Sequence, residues 1–188
     1  LGYKNVAAMF TASEVPVALL SLLSLGALML VRDNRRALML IHGVIAAGAL
    51  LIGGATLAFH WGWLGSASWM ILAGAGLYIA YTPFNAILFD RMIAATREIG
   101  TAGFMIYVAD ACGYVGSVAL LLFRNFGTIH LDWLNFFEDV AYATALLCAL
   151  GAALSAWHFN RLWAVPSRHD GKASGTHEEI GNRTEAIY

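Results

Sequence analysis

Residues 77–117 read LYIAYTPFNAILFDRMIAATREIGTAGFMIYVADACGYVGS. The stretch joins two apolar runs through a short turn that carries acidic and basic residues. The first run contains Tyr81, Pro83 and Asn85, and the second contains Asp110. Polar groups at these depths in a bilayer are costly and normally face protein or water. The stretch therefore predicts two transmembrane helices whose polar side chains face a protein-lined interior.

The composition excludes a water-soluble globule. The chain has 188 residues, of which 60% are hydrophobic and 12% are charged, and its mean hydropathy is +0.67. Soluble domains have about 45–50% apolar and about 25% charged residues. The net charge of -1 and the lack of a basic stripe argue against nucleic acid as a partner. The lipid bilayer is the partner that the composition indicates.

The sequence contains no recognisable catalytic or metal-binding motif. Cys112 and Cys148 lie in apolar runs, and neither belongs to a metal-binding Cys/His pattern. No nucleophile–base set, phosphate loop or dinucleotide fingerprint is present. We therefore expect no enzyme activity, no metal and no cofactor.

Five apolar runs are long enough to span a bilayer, because a core about 30 Å thick needs roughly 20 apolar residues per helix. The predicted fold is an all-α integral membrane bundle of about five transmembrane helices, within a domain of residues 1–163. Residues 164–188 are rich in Gly, Ser and charge, and are predicted to form a flexible cytoplasmic tail. The runs cover about residues 10–31, 37–59, 67–89, 101–123 and 134–157.

The distribution of Lys and Arg predicts the orientation. Positive charge is concentrated in the first and third loops and in the tail, whereas the second loop has none. This alternation places the N-terminus outside and the C-terminus in the cytoplasm, in the inner (plasma) membrane. Interfacial tryptophans are then expected outside at Trp61, Trp63 and Trp69, and inside at Trp157 and Trp163.

Asp110 is the principal site candidate. It lies about 13–14 Å from the cytoplasmic end of its helix, near the midplane. An ionised carboxylate facing lipid there costs on the order of 3 kcal/mol. Ala109, Gly113 and Ser117 form a small-residue face beside it, which favours close approach of another helix. Asp110 is therefore either a proton or substrate site or a carboxyl group hydrogen-bonded between helices.

Further candidates lie in other helices. Pro83 predicts a kink, and the carbonyl that it frees can serve a ligand or a neighbouring side chain. Tyr81 and Asn85 beside it are candidate substrate ligands. Glu14 either pairs with another helix or reaches water at the outer interface, as Glu138 and Asp139 are expected to do. A lone histidine such as His42 is more often hydrogen-bonded than a haem ligand.

Two turns of mixed charge are predicted on the cytoplasmic side. Their charged residues either orient the protein and contact lipid headgroups, or form an inner gate whose ion pairs break as the bundle rocks. The gate candidates are Arg32, Asp33, Arg36, Asp90 and Arg91.

The chain resembles the C-terminal part of a major facilitator superfamily protein, from its eighth to its twelfth helix. The turn RDNRR at residues 32–36 lies where that family has a charged turn, and GYVGS at residues 113–117 lies in its glycine-rich eleventh helix. The segments at residues 9–16, 81–91 and 100–110 are similar to an uncharacterised group of bacterial facilitator-type membrane proteins. A full facilitator has twelve helices, so the resemblance implies a missing N-terminal half or a second chain.

Two functions remain open from the sequence. The first is part of a facilitator-type secondary transporter for an unknown small solute. Asp110 would bind a proton or a polar substrate group there, while Tyr81 and Asn85 would donate hydrogen bonds. The second is a non-transporting assembly or sensor module, or a degenerate half-transporter.

Overall fold

The computed structural model describes residues 6–97, 99–126 and 132–164. In this part of the chain there are helices and short connections but no strand, which confirms the all-α prediction. The predicted tail lies outside the described residues from residue 165 onward. The helices are α1 (Val6–Met29), α2 (Asn34–His60), α3 (Ser66–Pro83), a π-helical segment (Phe84–Leu88), α4 (Phe89–Thr96), α5 (Ala102–Phe126) and α6 (Trp133–Ala164).

Each predicted apolar run is helical. Four segments are long and apolar enough to cross a membrane, and α1 adds a fifth helix with an apolar part at Glu14–Met29. The four long segments are Asn34–His60, Ser66–Thr96, Ala102–Phe126 and Leu134–Ala164.

The third apolar run extends beyond its predicted end. Pro83 has no backbone N–H to continue the α-helical pattern, and a π-helical segment follows it at Phe84–Leu88. The chain then continues as α4 to Thr96. Arg97 ends the helix in the left-handed conformation, with φ 58°. The prediction that Asp90 and Arg91 belong to a turn is therefore wrong, because both lie in the first turn of α4.

Helices α2 and α3 approach most closely at two glycines. A Cβ atom on Gly48 would lie 2.5 Å from the Gly76 carbonyl oxygen, and one on Gly76 would lie 2.7 Å from the Gly48 carbonyl oxygen. Only hydrogen side chains permit this backbone separation. The two glycines therefore fix the crossing point of α2 and α3.

Helix α6 runs antiparallel to α2. His60 meets Glu138 near one end, Ile52 packs with Ala141 and Ala145, and His42 contacts Ser155 further along. Small side chains on α6 at the centre of this contact allow the two helices to pack.

Residues 156–164 of α6 belong to a second compact unit, which begins at Ala156. Within it, the Arg161 guanidinium lies 4.4 Å from the ring centre of Trp157, and Phe159 stacks on Trp163 with ring centres 5.8 Å apart. Cation–π and stacking contacts of this kind hold the aromatic side chains along the helix.

Helix α5 is different from the others. None of its residues is buried among the described helices. Each of the other long helices, by contrast, has buried residues, for example Ile41 in α2, Ala80 in α3 and Ala152 in α6. The packed core of the described chain is therefore built without α5.

Candidate functional site

A pair of polar side chains lies at the middle of the continuous helical segment Ser66–Thr96. The Asn85 side-chain amide donates a 2.7 Å hydrogen bond to the Tyr81 hydroxyl, one helical turn away. The segment is 31 residues long, or about 46 Å, and Tyr81 lies about 23 Å from its start. The structure thus brings two of the predicted site residues together, beside the fully buried Pro83.

A second polar contact joins α1 to the same region of α3. The Ser21 and Thr82 hydroxyl oxygens lie 2.6 Å apart, and the Ser21 hydroxyl also donates to the Tyr78 carbonyl oxygen at 3.2 Å. Ser21 is buried. This serine could not be selected from the sequence, because isolated hydroxyls are common in apolar helices. Thr82 follows Tyr81 directly in the chain. The contact with Ser21 is therefore made just before the α-helical pattern breaks at Pro83.

The other two substrate-site candidates lie apart from this cluster. Glu14 is exposed on α1. Asp110 is half-buried on α5, and within the described part of the chain no hydrogen bond or ion pair joins it to Tyr81 or Asn85. The described helices cover Asp110 only in part, and its enclosure by neighbouring helices stays a prediction. None of the residues of α5 is buried among the described helices.

The small-residue face on α5 also has no described partner. Gly113 and Ser117 are exposed, and a Cβ atom on Gly113 would meet nothing within 4 Å. Close helix approach occurs instead at Gly48 and Gly76, on helices where the sequence offers several glycines and no means to choose among them.

The first and third predicted turns meet in space. The Arg91 guanidinium donates a 2.7 Å hydrogen bond to the Asn34 side-chain oxygen. A cavity of about 350 Å³ lies beside this contact, with Asp33 and Arg97 in its lining. The contact is a hydrogen bond to an amide, whereas the gate hypothesis expected ion pairs. Of the remaining gate candidates, Arg32, Arg36 and Asp90 are exposed.

Asp33 acts locally as the N-cap of α2. Its carboxylate accepts hydrogen bonds from the backbone N–H groups of Arg35 and Arg36 at 2.8 and 3.1 Å. The hydrogen bond from Arg36 is the largest cause that lowers the pKa of Asp33 below its ordinary value, and the Arg35 hydrogen bond and the two nearby positive charges add to it. Asp33 therefore stabilises the start of α2, whatever part it has in a gate.

Trp69 is buried among the described helices, and its place at the outer interface stays a prediction, because burial against protein does not give its depth in the bilayer. Its ring stacks on Phe59, with ring centres 4.4 Å apart, and meets Phe137 edge-on at 5.7 Å. Its indole N–H donates to the Thr56 hydroxyl at 3.2 Å, and that hydroxyl donates to the Ile52 carbonyl oxygen at 2.8 Å. Because this network satisfies its only donor, Trp69 can be buried between α2, α3 and α6. Trp61 and Trp63 are exposed.

Two further ionisable residues have partners that the sequence did not identify. Glu138 is buried, contrary to the expectation that it reaches water, and its carboxylate lies 3.1 Å from Nδ1 of the exposed His60. His42 is buried, with Nδ1 2.7 Å from the Leu38 carbonyl oxygen and Nε2 2.7 Å from the Ser155 hydroxyl. These contacts make His42 a hydrogen-bonded core residue, the more ordinary of its two interpretations.

An apolar cavity of about 270 Å³ lies between α2, α3 and α6. Ile52, Trp69 and Ala141 form its buried floor, while the exposed side chains of Leu77 and Phe137 lie at its rim. The described residues contain no group of three His, Cys, Asp or Glu side chains that would hold a metal ion.

Neither a curated protein nor a solved structure matches the chain. One protein family matches residues 1–162, which is most of the chain, and it is described as a family of unknown function (DUF5690). The protein therefore belongs to the DUF5690 family, and its long apolar helices are those of a membrane protein.

Proposed function

We propose that this protein is part of a facilitator-type secondary transporter for a small polar solute. Its helices would rock against a second helical half, supplied by the same polypeptide or by another chain. In this proposal it lies in the inner membrane, with its N-terminus outside and its C-terminus in the cytoplasm.

The observation that carries the proposal is the break at the middle of Ser66–Thr96. A π-helical segment follows Pro83 there, and Tyr81, Asn85 and Thr82 present hydroxyl and amide groups around it. Irregular helix within a bilayer is tolerated where protein or a water-filled cavity satisfies the backbone. Transporter sites are often formed by interrupted helices near the midplane.

Asp110 would supply the charged group of the site. A half-buried carboxylate in an apolar helix is costly if it faces hydrocarbon, which favours a partner that covers α5. In the proposed assembly the second half covers α5 and brings Asp110 toward Tyr81 and Asn85. The Arg91–Asn34 contact would form part of the cytoplasmic gate and would open as the helices rock.

One observation favours a second candidate function. Because residues 111–126 of α5 are exposed and none of its residues is buried among the described helices, this helix offers a surface for contact with another membrane protein. The chain would then be an assembly or sensor module that moves no solute. The two functions differ in whether any solute crosses the membrane.

The test uses proteoliposomes that enclose a pH-sensitive dye and contain the protein together with any chain that co-purifies with it. Sugars, amino acids and organic acids are added outside one at a time, and the lumenal pH is recorded. We expect at least one solute class to change the lumenal pH, and Asp110→Asn to abolish that change. Asp139→Asn, which neutralises an exposed carboxylate on α6, is the matched control and should transport normally.

Full pH-coupled transport by Asp110→Asn would remove Asp110 from the mechanism. If no solute class moved while the co-purifying chain could be crosslinked to α5, the assembly function would replace the transporter proposal.

A further inference from the structure

The apolar cavity between α2, α3 and α6 has the form of a groove. Its floor is buried, and its rim is formed by Met70 and Leu77 on α3 and Phe137 on α6, all of which are exposed. The groove therefore opens sideways from the packed helices.

The length of the groove matches one leaflet. Trp69 and Leu77 line its two ends on α3, which places those ends about 12 Å apart along the helix axis. The hydrocarbon part of one leaflet is about 15 Å deep. Exposed Trp61 and Trp63 follow α2 at the end where Trp69 lies, and tryptophans concentrate at the level of lipid headgroups. The groove thus begins near that level and runs inward.

The width of the groove excludes larger occupants. The whole space between the lining atoms, about 740 Å³, is less than the roughly 900 Å³ that a helix 10 Å across occupies over a length of about 12 Å. A helix, with a diameter of about 10 Å, does not fit. A single hydrocarbon chain does, because carbon atoms pack about 3.5–4.0 Å apart. For comparison, a cavity of about 150 Å³ holds one benzene molecule.

The lining of the groove excludes water as its occupant. Of the lining side chains, Thr144 and Trp69 carry polar groups. The indole N–H of Trp69 is already hydrogen-bonded to the Thr56 hydroxyl. A stable water needs about two to four polar partners, which this lining does not provide. The rings of Trp69 and Phe137, perpendicular to each other, offer a face and an edge for an apolar chain to contact.

We propose that this groove is a binding site for one acyl chain of a membrane phospholipid. The chain enters from the bilayer between α3 and α6 and packs against Trp69. Its headgroup lies at the end of the groove near the exposed His60, which is paired with Glu138. This site is separate from the Tyr81–Asn85 cluster and does not depend on the transport proposal.

Gly74 offers a way to close the groove. It lies in the lining, and a Cβ atom added there would meet nothing within 4 Å, so Gly74→Leu places its side chain in the groove without a backbone clash. Gly151→Leu is the matched control, since Gly151 is an exposed helical glycine with equal space that does not line the groove.

The experiment reconstitutes the protein in phosphatidylcholine vesicles that contain a small fraction of phosphatidylcholine with a photoreactive diazirine on one acyl chain. After illumination, labelled residues are mapped by peptide mass spectrometry. Labelling at residues 69–77 and 137–144 is compared with labelling at the exposed side chains Leu19, Leu22 and Leu23 of α1, which serve as the lipid-facing reference. We expect labelling of the groove to exceed that of this reference by about threefold or more, a modest factor because lipid tails are as apolar as the groove itself.

In Gly74→Leu the labelling of the groove should fall to the level of the α1 reference, while Gly151→Leu should match the unaltered protein. A test that needs no variant moves the diazirine along the chain. A position near the headgroup should label Phe137 and Trp69, and a deeper position should label Leu77.

Labelling of the groove equal to or below that of the α1 reference in the unaltered protein would overturn the proposal, and crosslinks between two copies across Met70 would then assign the groove to self-association. Unchanged labelling in Gly74→Leu would also overturn it.

Discussion

The closest contact between α2 and α3 makes the substitution Gly48→Ala a sharp test of the fold. The new Cβ atom would lie 2.5 Å from the Gly76 carbonyl oxygen and 2.9 Å from the Ala80 Cβ atom. Ordinary contact begins near 3.4 Å, so the two helices must separate by about 1 Å. Overpacking of this kind costs about 1–3 kcal/mol. The higher helix propensity of alanine offsets up to about 1 kcal/mol of this cost.

Subtracting an alanine gain of about 0.5–1 kcal/mol leaves a net loss of about 0–2.5 kcal/mol, centred near 1 kcal/mol. For a chain of this length, soluble proteins lose about 2–4 °C in melting temperature per kcal/mol, so the decrease is centred on about 2–4 °C. The assay is thermal melting in detergent micelles, followed by the amount of monodisperse protein that remains on size-exclusion chromatography. Gly76→Ala should behave similarly, because its Cβ atom meets the Gly48 carbonyl oxygen at 2.7 Å.

Gly43→Ala is the control on the same helix. Gly43 is exposed and a Cβ atom there meets nothing within 4 Å, so this variant should melt at the same temperature or slightly higher. If Gly48→Ala melted together with Gly43→Ala, the close crossing of α2 and α3 would be refuted.

Further substitutions probe three polar contacts by the same melting assay. Thr56→Val leaves the buried indole N–H of Trp69 without its acceptor and should cost about 1–3 kcal/mol; Thr56→Ser should restore most of the loss, and equal melting of both variants would contradict the network. His60→Ala should lower stability more than Glu138→Gln, because it removes the partner of a buried carboxylate. Glu138→Gln leaves only an exposed imidazole, which water can solvate. The reverse order of stabilities would contradict the burial of Glu138. The pKa of Asp33 is lower in the folded protein than its ordinary value of 3.8, so its stabilisation is complete above that pH and is lost as the pH falls through the lowered pKa. Asp33→Ala should therefore lower the melting temperature at pH 7 and show less further loss at about pH 3 than the unaltered protein, and identical acid profiles would contradict the capping role.

The helical fold follows from the sequence because the bilayer imposes a simple requirement. A run of about 20 apolar residues with little charge has few other stable arrangements, since lipid offers no partner to the backbone. The predicted helix end at Phe89 was wrong, because Asp90 and Arg91 were interpreted as part of a turn although the helix continues to Thr96. Helix and turn both accept charged residues near the membrane surface, so charge alone does not locate a helix end.

The packing was less predictable than the helices. Gly48 and Gly76 look like many other glycines in the sequence, and only the relative rotation of α2 and α3 places them at the crossing. Tryptophan is a residue type that is enriched at membrane interfaces, but Trp69 is buried among the helices. Its hydroxyl acceptor, Thr56, lies in a different helix, and sequence spacing does not reveal such a pair. By contrast, Tyr81 and Asn85 are one turn apart, so helix geometry alone predicts that they meet.

Helix α5 shows how burial and stability separate in a membrane protein. In water, a helix without a buried face would not be stable, because its apolar side chains would remain hydrated. In a bilayer those side chains lose nothing by facing lipid tails, so exposure of α5 is no cost in itself. Asp110 is the exception on that helix, since a carboxylate facing hydrocarbon costs about 2.5–3.5 kcal/mol at the centre of a helix. A protein surface that covers Asp110 and gives it hydrogen bonds removes this cost, and the small residues Gly113 and Ser117 allow such a surface to come close. In the proposed assembly, the free energy that would drive a partner onto α5 is therefore concentrated at Asp110, and this is why the same carboxylate serves as the test residue for transport.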